Sequence, residues 1–120
     1  MAKFVNVLGT KYLIRRVDSG EDEYMEKMHF GGYCDGDTKE IVVLNLKSIP
    51  DWANEKSEKI SVTEICTLRH EIVHAFFNES GLQWNAFTYE NAWAKNEEMV
   101  DWIALQGPKI VEAWQKAGAM

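Results

Sequence analysis

The chain changes character once, near residue 47, and that change limits its fold more than any other feature. Before it, Phe4 to Val7, Tyr12 to Val17, Tyr24 to Cys34 and Ile41 to Leu46 are rich in β-branched and aromatic residues and read as strands. Turn formers separate them: Gly9-Thr10, the acidic run Asp18 to Glu23, and Asp35-Gly36-Asp37, which predicts a hairpin returning through Ile41-Val42-Val43-Leu44. Gly31-Gly32 within the third strand points to a bulge or to a close approach of the backbone to another element. After it, a connector from Lys47 to Lys59 contains Pro50 and has room for a short helix. Ser61-Val62-Thr63-Glu64 then fits a capping box opening a helix that runs to about Ser80, with Gly81 as its stop. A second helix is expected from about Asn91 to Gln106, broken or kinked at Gly107-Pro108, with a last helical segment from Lys109 to Lys116. Strands first and helices second predict an α+β fold, a short and mainly antiparallel sheet with helices on one face. The 120 residues suit one domain spanning 1–120, large enough for a modest core without disulfides.

Composition removes several classes of function. A net charge of −6 and no basic cluster beyond Arg15-Arg16 argue against binding nucleic acid. The run Asp18 to Glu23 can attract a basic partner, but a solvated turn is the simpler reading. No stretch approaches the roughly 20 apolar residues that span a membrane, and the N-terminus lacks the apolar core and cleavage site of a signal peptide. Cys34 and Cys66 do not make a disulfide framework. The expectation is a soluble, cytoplasmic protein with free thiols.

The first predicted helix carries His70-Glu71-Ile72-Val73-His74. Residues four apart share a helix face, so His70 and His74 can aim imidazole nitrogens at one metal ion, about 2.0–2.1 Å from each for zinc. Glu71 is next round the helix, placed to reach a water on that metal without ligating it and to take its proton as general base. Ile65, Leu68, Ile72 and Phe76 recur at helical spacing and are expected to face the core. Thr67, His70, Glu71, His74 and Asn78 form the neighbouring polar face. The bland alternative is that both histidines are satisfied polar-face residues and Glu71 a solvated charge.

A catalytic zinc site takes three protein ligands and leaves a fourth position open. His29 lies far upstream, so a carboxylate on the next helix is the better candidate. Glu97 and Asp101, in Asn96-Glu97-Glu98-Met99-Val100-Asp101, share a face. Glu97 can ligate while Asp101 accepts the N–H of a ligating histidine, and Glu98 points about 100° away. The alternative for both is a charged outer face.

Together, His70-Glu71-x-x-His74 and Asn96-Glu97-x-x-x-Asp101 resemble the HExxH plus NExxxD signature of the thermolysin-type gluzincins. That resemblance implies Glu97 as third ligand and Asp101 as the partner of His70. The size, and Glu97-x-x-Val100-Asp101-x-Ile103-Ala104, are also similar to the small ImmA/IrrE-like metallopeptidases and related phage or mobile-element zincins, whose glutamate helix reads E-x-x-A-N-x-F-A. The resemblance spans about Glu64 to Ala104. It implies a small zincin-like domain, with an HExxH helix and a glutamate helix following the sheet, that hydrolyses peptide bonds with Zn²⁺ and acts on a peptide or protein.

Zincins commonly hold substrate along a strand edge, and Ile41 to Leu46 is the strand nearest the metal helix in sequence. An oxyanion donor is also required. Tyr89, His29, Tyr33 and Arg69 are candidates, Tyr89 first because it lies in the loop entering the Glu97 helix; a partly buried aromatic is the plainer reading of Tyr89. Cys66 can be a soft ligand or a small buried hydrophobe, and Cys34 reads as incidental. Trp52, Trp84, Trp93, Trp102 and Trp114 read as core packing, Trp84 alternatively as pocket lining. Two rivals to the enzyme stand: a non-catalytic zinc-binding regulatory or interaction module of the same fold, favoured if the loop Ala86 to Glu90 buries the site, and an interaction domain without metal.

Overall fold

The computed structural model describes residues 1–28, 31–82 and 96–120. Four strands form one sheet in the order β1-β2-β4-β3, with β1 at Phe4–Val7, β2 at Thr10–Val17, β3 at Gly32–Asp35 and β4 at Glu40–Leu44. The outer pairs are antiparallel, but β2 and β4 run parallel, Ile14 opposite Ile41. The sheet is therefore mixed: antiparallel in two of its three pairings, as expected for the most part, and parallel at its centre.

The reason lies in the segment expected to be one long strand. Glu23–Met28 is a helix, α1. Asp22 opens it, its Oδ1 accepting from the Met25 N–H at 3.0 Å, and Met25 is buried beneath it. The acidic run thus hides a helix cap, and the chain crosses over before β3 begins. β3 then turns through Asp35-Gly36-Asp37 into β4 as expected, Asp35 Oδ1 accepting from the backbone N–H groups of Asp37 (2.8 Å) and Thr38 (3.0 Å). The first hairpin turns at Leu8-Gly9, one residue earlier than expected, with φ of +50° and +88°. Two positive φ values suit the right-handed twist of a two-residue hairpin, although Leu8 adopts that conformation at a cost Gly9 does not bear.

β4 sits between two neighbours and is buried on both faces, Ile41 to Leu44 without exception. Val7, Tyr12, Ile14, Ile41 and Val43 pack on one side against Ala75, while Val17, Val42 and Leu44 meet Met25 on the other. The connector holds two short 3-10 turns, Leu46–Ser48 and Pro50–Trp52.

The helix α2, Ser57–Glu79, starts a turn before the expected capping box. Glu64 caps nothing; it is buried and binds the Arg16 guanidinium through two bonds of 2.9 Å and the Leu46 N–H at 2.8 Å. These partners, all charge-assisted, outweigh a helix-start bond. They also roll the helix: Ile60, Glu64, Glu71 and Ala75 are buried, Leu68 and Ile72 pack on the core, and Ile65 and Phe76, expected inside, are exposed. At the other end Glu79 accepts from Lys39 Nζ (2.6 Å), the Tyr12 hydroxyl (2.7 Å) and the Thr10 hydroxyl (2.9 Å). Gly81, at φ +75°, follows the helix end as expected.

The close approach suggested by Gly31-Gly32 is present at Gly32. A Cβ there would lie 2.7 Å from Thr67 Cγ2 and 2.9 Å from the Val42 carbonyl oxygen, so only glycine lets β3 lie this near α2. The last helix, α3, is Glu97–Lys116 and continues through Gly107-Pro108 without a break. It packs on α2 through Val100 and Ala104. Trp102 and Trp114 are exposed and Trp52 is half-buried, so none of the described tryptophans fills the core; Trp84 and Trp93 lie outside the described residues. Among the described residues no helix is long and apolar enough to cross a membrane. The architecture is a small α+β domain, with α2 laid across a mixed sheet.

Candidate metal centre

The polar face of α2 opens into a cleft of about 1100 Å³. β3 and its turn form one wall, and the first half of α3 forms the other. His70 and His74 project one turn apart from the floor, each about four-fifths enclosed. Asn96 fixes the start of α3 by accepting from the Met99 N–H at 2.9 Å, which sets the phase of the residues after it. Glu97 and Asp101 then face α2, and Glu98, as expected, takes no part in the lining.

Three acceptor atoms converge. His70 Nε2 lies 3.1 Å from His74 Nε2 and 2.9 Å from Glu97 Oε2, and His74 Nε2 lies 3.3 Å from Glu97 Oε1. On the far side of its ring, His70 Nδ1 is 2.6 Å from Asp101 Oδ1. A proton on Nδ1 donates to that carboxylate and leaves the Nε2 lone pair facing the other two acceptors. Two imidazole lone pairs and a carboxylate oxygen so close repel one another unless a metal cation or a proton lies among them. Tetrahedral ligands 2.0–2.1 Å from a zinc ion stand about 3.3 Å apart, so the spacing fits the donor set. Glu71 Oε1 is 4.0 Å from His70 Nε2, outside that triangle but beside it. His70, Glu71 and His74 together make a group able to hold a metal ion, and neither thiol belongs to it.

Electrostatics follow from burial. Burial pushes Glu71 up to about 7; His70 opposes the rise, and the Glu97 and Asp101 carboxylates add to it. Burial also lowers His74, against the pull of Glu97, and so favours the neutral imidazole that ligation needs. Cys34, incidental by its sequence position, stands in the β3 wall. Its thiol is pushed up to about 12 by burial, with Glu71 and Asp35 adding to the shift, and Asn78 Nδ2 lies 3.7 Å from its sulfur. Cys66 lines the cleft from the helix floor. The signal for Cys34 is the nearby Gly32, whose missing side chain brings this strand onto the helix.

Other expectations fare differently. Ile41 to Leu46 cannot hold an extended ligand, because β4 is paired on both sides; the edge strand beside the cleft is β3. Tyr33 spends its hydroxyl on Asp22 Oδ2 at 2.8 Å, and Arg69 is exposed away from the cleft. Tyr89, His29 and the loop Ala86 to Glu90 lie outside the described residues. No protein-family model, no curated protein and no solved structure matches the chain.

Proposed function

We propose that the domain is a zinc-dependent peptidase of the gluzincin kind, acting on a peptide or protein in the cytoplasm. The observation that carries the reading is the convergence of His70, His74 and Glu97 at 2.9–3.3 Å, with Glu71 alongside and Asp101 behind His70. His70, His74 and Glu97 would hold the ion, and Asp101 fixes the tautomer and ring orientation of His70. Zinc in that place supplies a Lewis acid for a carbonyl oxygen and acidifies water. Glu71 supplies the proton handling: its carboxylate takes a proton from the attacking water and returns it to the leaving amine. Its enclosed position, 8% exposed, keeps bulk water from competing for that proton.

β3 supplies the means of aligning an extended chain. The Leu44 N–H donates to the Gly31 carbonyl at 2.9 Å, which sets the alternation of the β3–β4 ladder. The backbone groups of Tyr33 and Asp35 then face β4, and those of Gly32 and Cys34 face the open edge. A peptide added there would pair with those two residues. The resemblance to gluzincin signatures supports the same reading, and the two free thiols fit the reducing cytoplasm.

Metal analysis after metal-sparing purification should find close to one zinc per chain; less than about 0.2 would sink the proposal. Glu71→Gln should keep its zinc and lose roughly 10²–10⁴-fold in peptidase turnover. Undiminished turnover in that variant would mean that Glu71 carries no proton in the reaction.

A further inference from the structure

We infer that the metal centre is also the clasp that docks α3, so that loading the ion and seating the helix on α2 are one coupled event. This rests on the metal reading above and goes beyond it, because nothing in peptide hydrolysis requires the third ligand to come from a weakly seated helix.

α3 has twenty residues and is about 30 Å long. Its buried residues are Val100 and Ala104, both in its first half. Beyond them Leu105, Val111 and Trp114 are exposed at 54%, 37% and 51%. A helix in water owes most of its stability to the apolar face it packs, and here that face is two buried residues with Met99, Ile103 and Ile110 only half-buried beside them. Among the described residues, every ion pair between α3 and the rest of the fold ends on His70 or His74. Glu97 and Asp101 make those pairs while remaining 67% and 60% exposed, so burial does little to hold them in place.

The ion decides the strength of the tie. Glu71, Glu97 and Asp101 bring three carboxylates to two imidazoles, and three acceptor atoms face one another across 2.9–3.3 Å. With a divalent cation among them the contact is attractive. Without it α3 keeps at the site only hydrogen bonds from imidazole N–H groups to the exposed carboxylates of Glu97 and Asp101, which solvent screens. The atoms that hold the ion are thus the atoms that hold the helix. α2 differs, being tied to the sheet by Arg16 and Lys39 independently of the site.

The test compares the full chain loaded with one equivalent of zinc against the same chain stripped by a chelator, with bound zinc counted by elemental mass spectrometry. Amide hydrogen exchange is read separately for α3, β2 and β4. Stripping should speed exchange across α3 by about tenfold or more and leave it close to unprotected, while β2 and β4 lose the stabilisation that binding lends the whole fold yet stay strongly protected. In Glu97→Gln the zinc dependence of α3 exchange should largely vanish. Equal α3 protection in the loaded and stripped chains, with one zinc shown to bind, overturns the clasp and leaves the metal site standing. A stripped chain in which α3 stays as protected as β2 and β4 also overturns it, because the ion would then stabilise the domain as one unit. Failure to take up zinc removes the metal reading and the clasp together.

Discussion

Glu97 and Glu98 are neighbours in sequence with opposite fates, and helix phase alone separates them. Asn96 starts the helix by capping Met99, so Glu97 falls against the imidazoles and Glu98 in solvent. Glu97→Ala should weaken zinc binding by about 100-fold or more, since losing a ligand costs more than the 10–100-fold typical of losing a ligand's hydrogen-bond partner, whereas Glu98→Ala should leave it unchanged. Competition with a chromogenic chelator measures both, and the reverse order would mean that α3 is wrongly phased. A different residue-scale effect belongs to Leu8, an exposed leucine at φ +50°. Leu8→Gly should stabilise the fold by about 0.5–1 kcal/mol, the left-handed strain relieved outweighing the extra freedom of the unfolded glycine. Urea denaturation that finds the variant less stable contradicts this. The site was legible at this scale because ligation depends on local spacing: His70 with His74, and Glu97 with Asp101, are each one helical turn apart. Cys34 was not, because only the approach of β3 to α2 brings it to the cleft.

At the scale of elements, two departures have one kind of cause: a polar side chain that decided the local structure. The aromatic and apolar residues of Tyr24 to Cys34 favour a strand, but Asp22 caps a helix there. The stripe Ile65, Leu68, Ile72 and Phe76 has good helical period, yet Arg16 draws Glu64 inward and rolls α2 away from it. The Arg16 partner of Glu64 is far off in the chain and invisible from sequence spacing, whereas the Asp22 cap is local and was overridden only by the strand-like composition after it. Glu79 makes a testable case of the same kind. Bonds from Lys39, Tyr12 and Thr10 lower its pKa from 4.5 to about 2. A depressed carboxylate stabilises the fold fully above its unfolded pKa and loses that contribution as pH falls through the folded value. The stability difference between the native chain and Glu79→Gln should therefore be constant from neutral pH down to about 5 and shrink between about 4.5 and 2. Chemical denaturation across that range checks it; a difference independent of pH rules out the ionised tie.

For the whole molecule, the α+β class followed from the order of strands and helices, while the sheet's central parallel pair did not. Parallel pairing of β2 with β4 is a fact of the crossover, set by where α1 and β3 divert the chain. Ligand binding to the folded state alone raises stability in proportion to the logarithm of ligand concentration. Free zinc at a hundred times its dissociation constant should add about 2.7 kcal/mol, or roughly 10 °C in melting temperature for a domain of this size. Calorimetry with and without a chelator reads it directly, and coincident melts would exclude a site formed only in the folded chain. The ties on α2 have a mechanical meaning for the same molecule. Glu64 fastens the helix toward one end and Glu79 at the other, both to side chains on β2, with the two histidines midway between. α2 is a beam clamped at both ends, free neither to slide along the sheet nor to turn about its axis. Whatever movement admits a substrate must then be made by the walls of the cleft, while the floor that carries His70, Glu71 and His74 keeps its bearing.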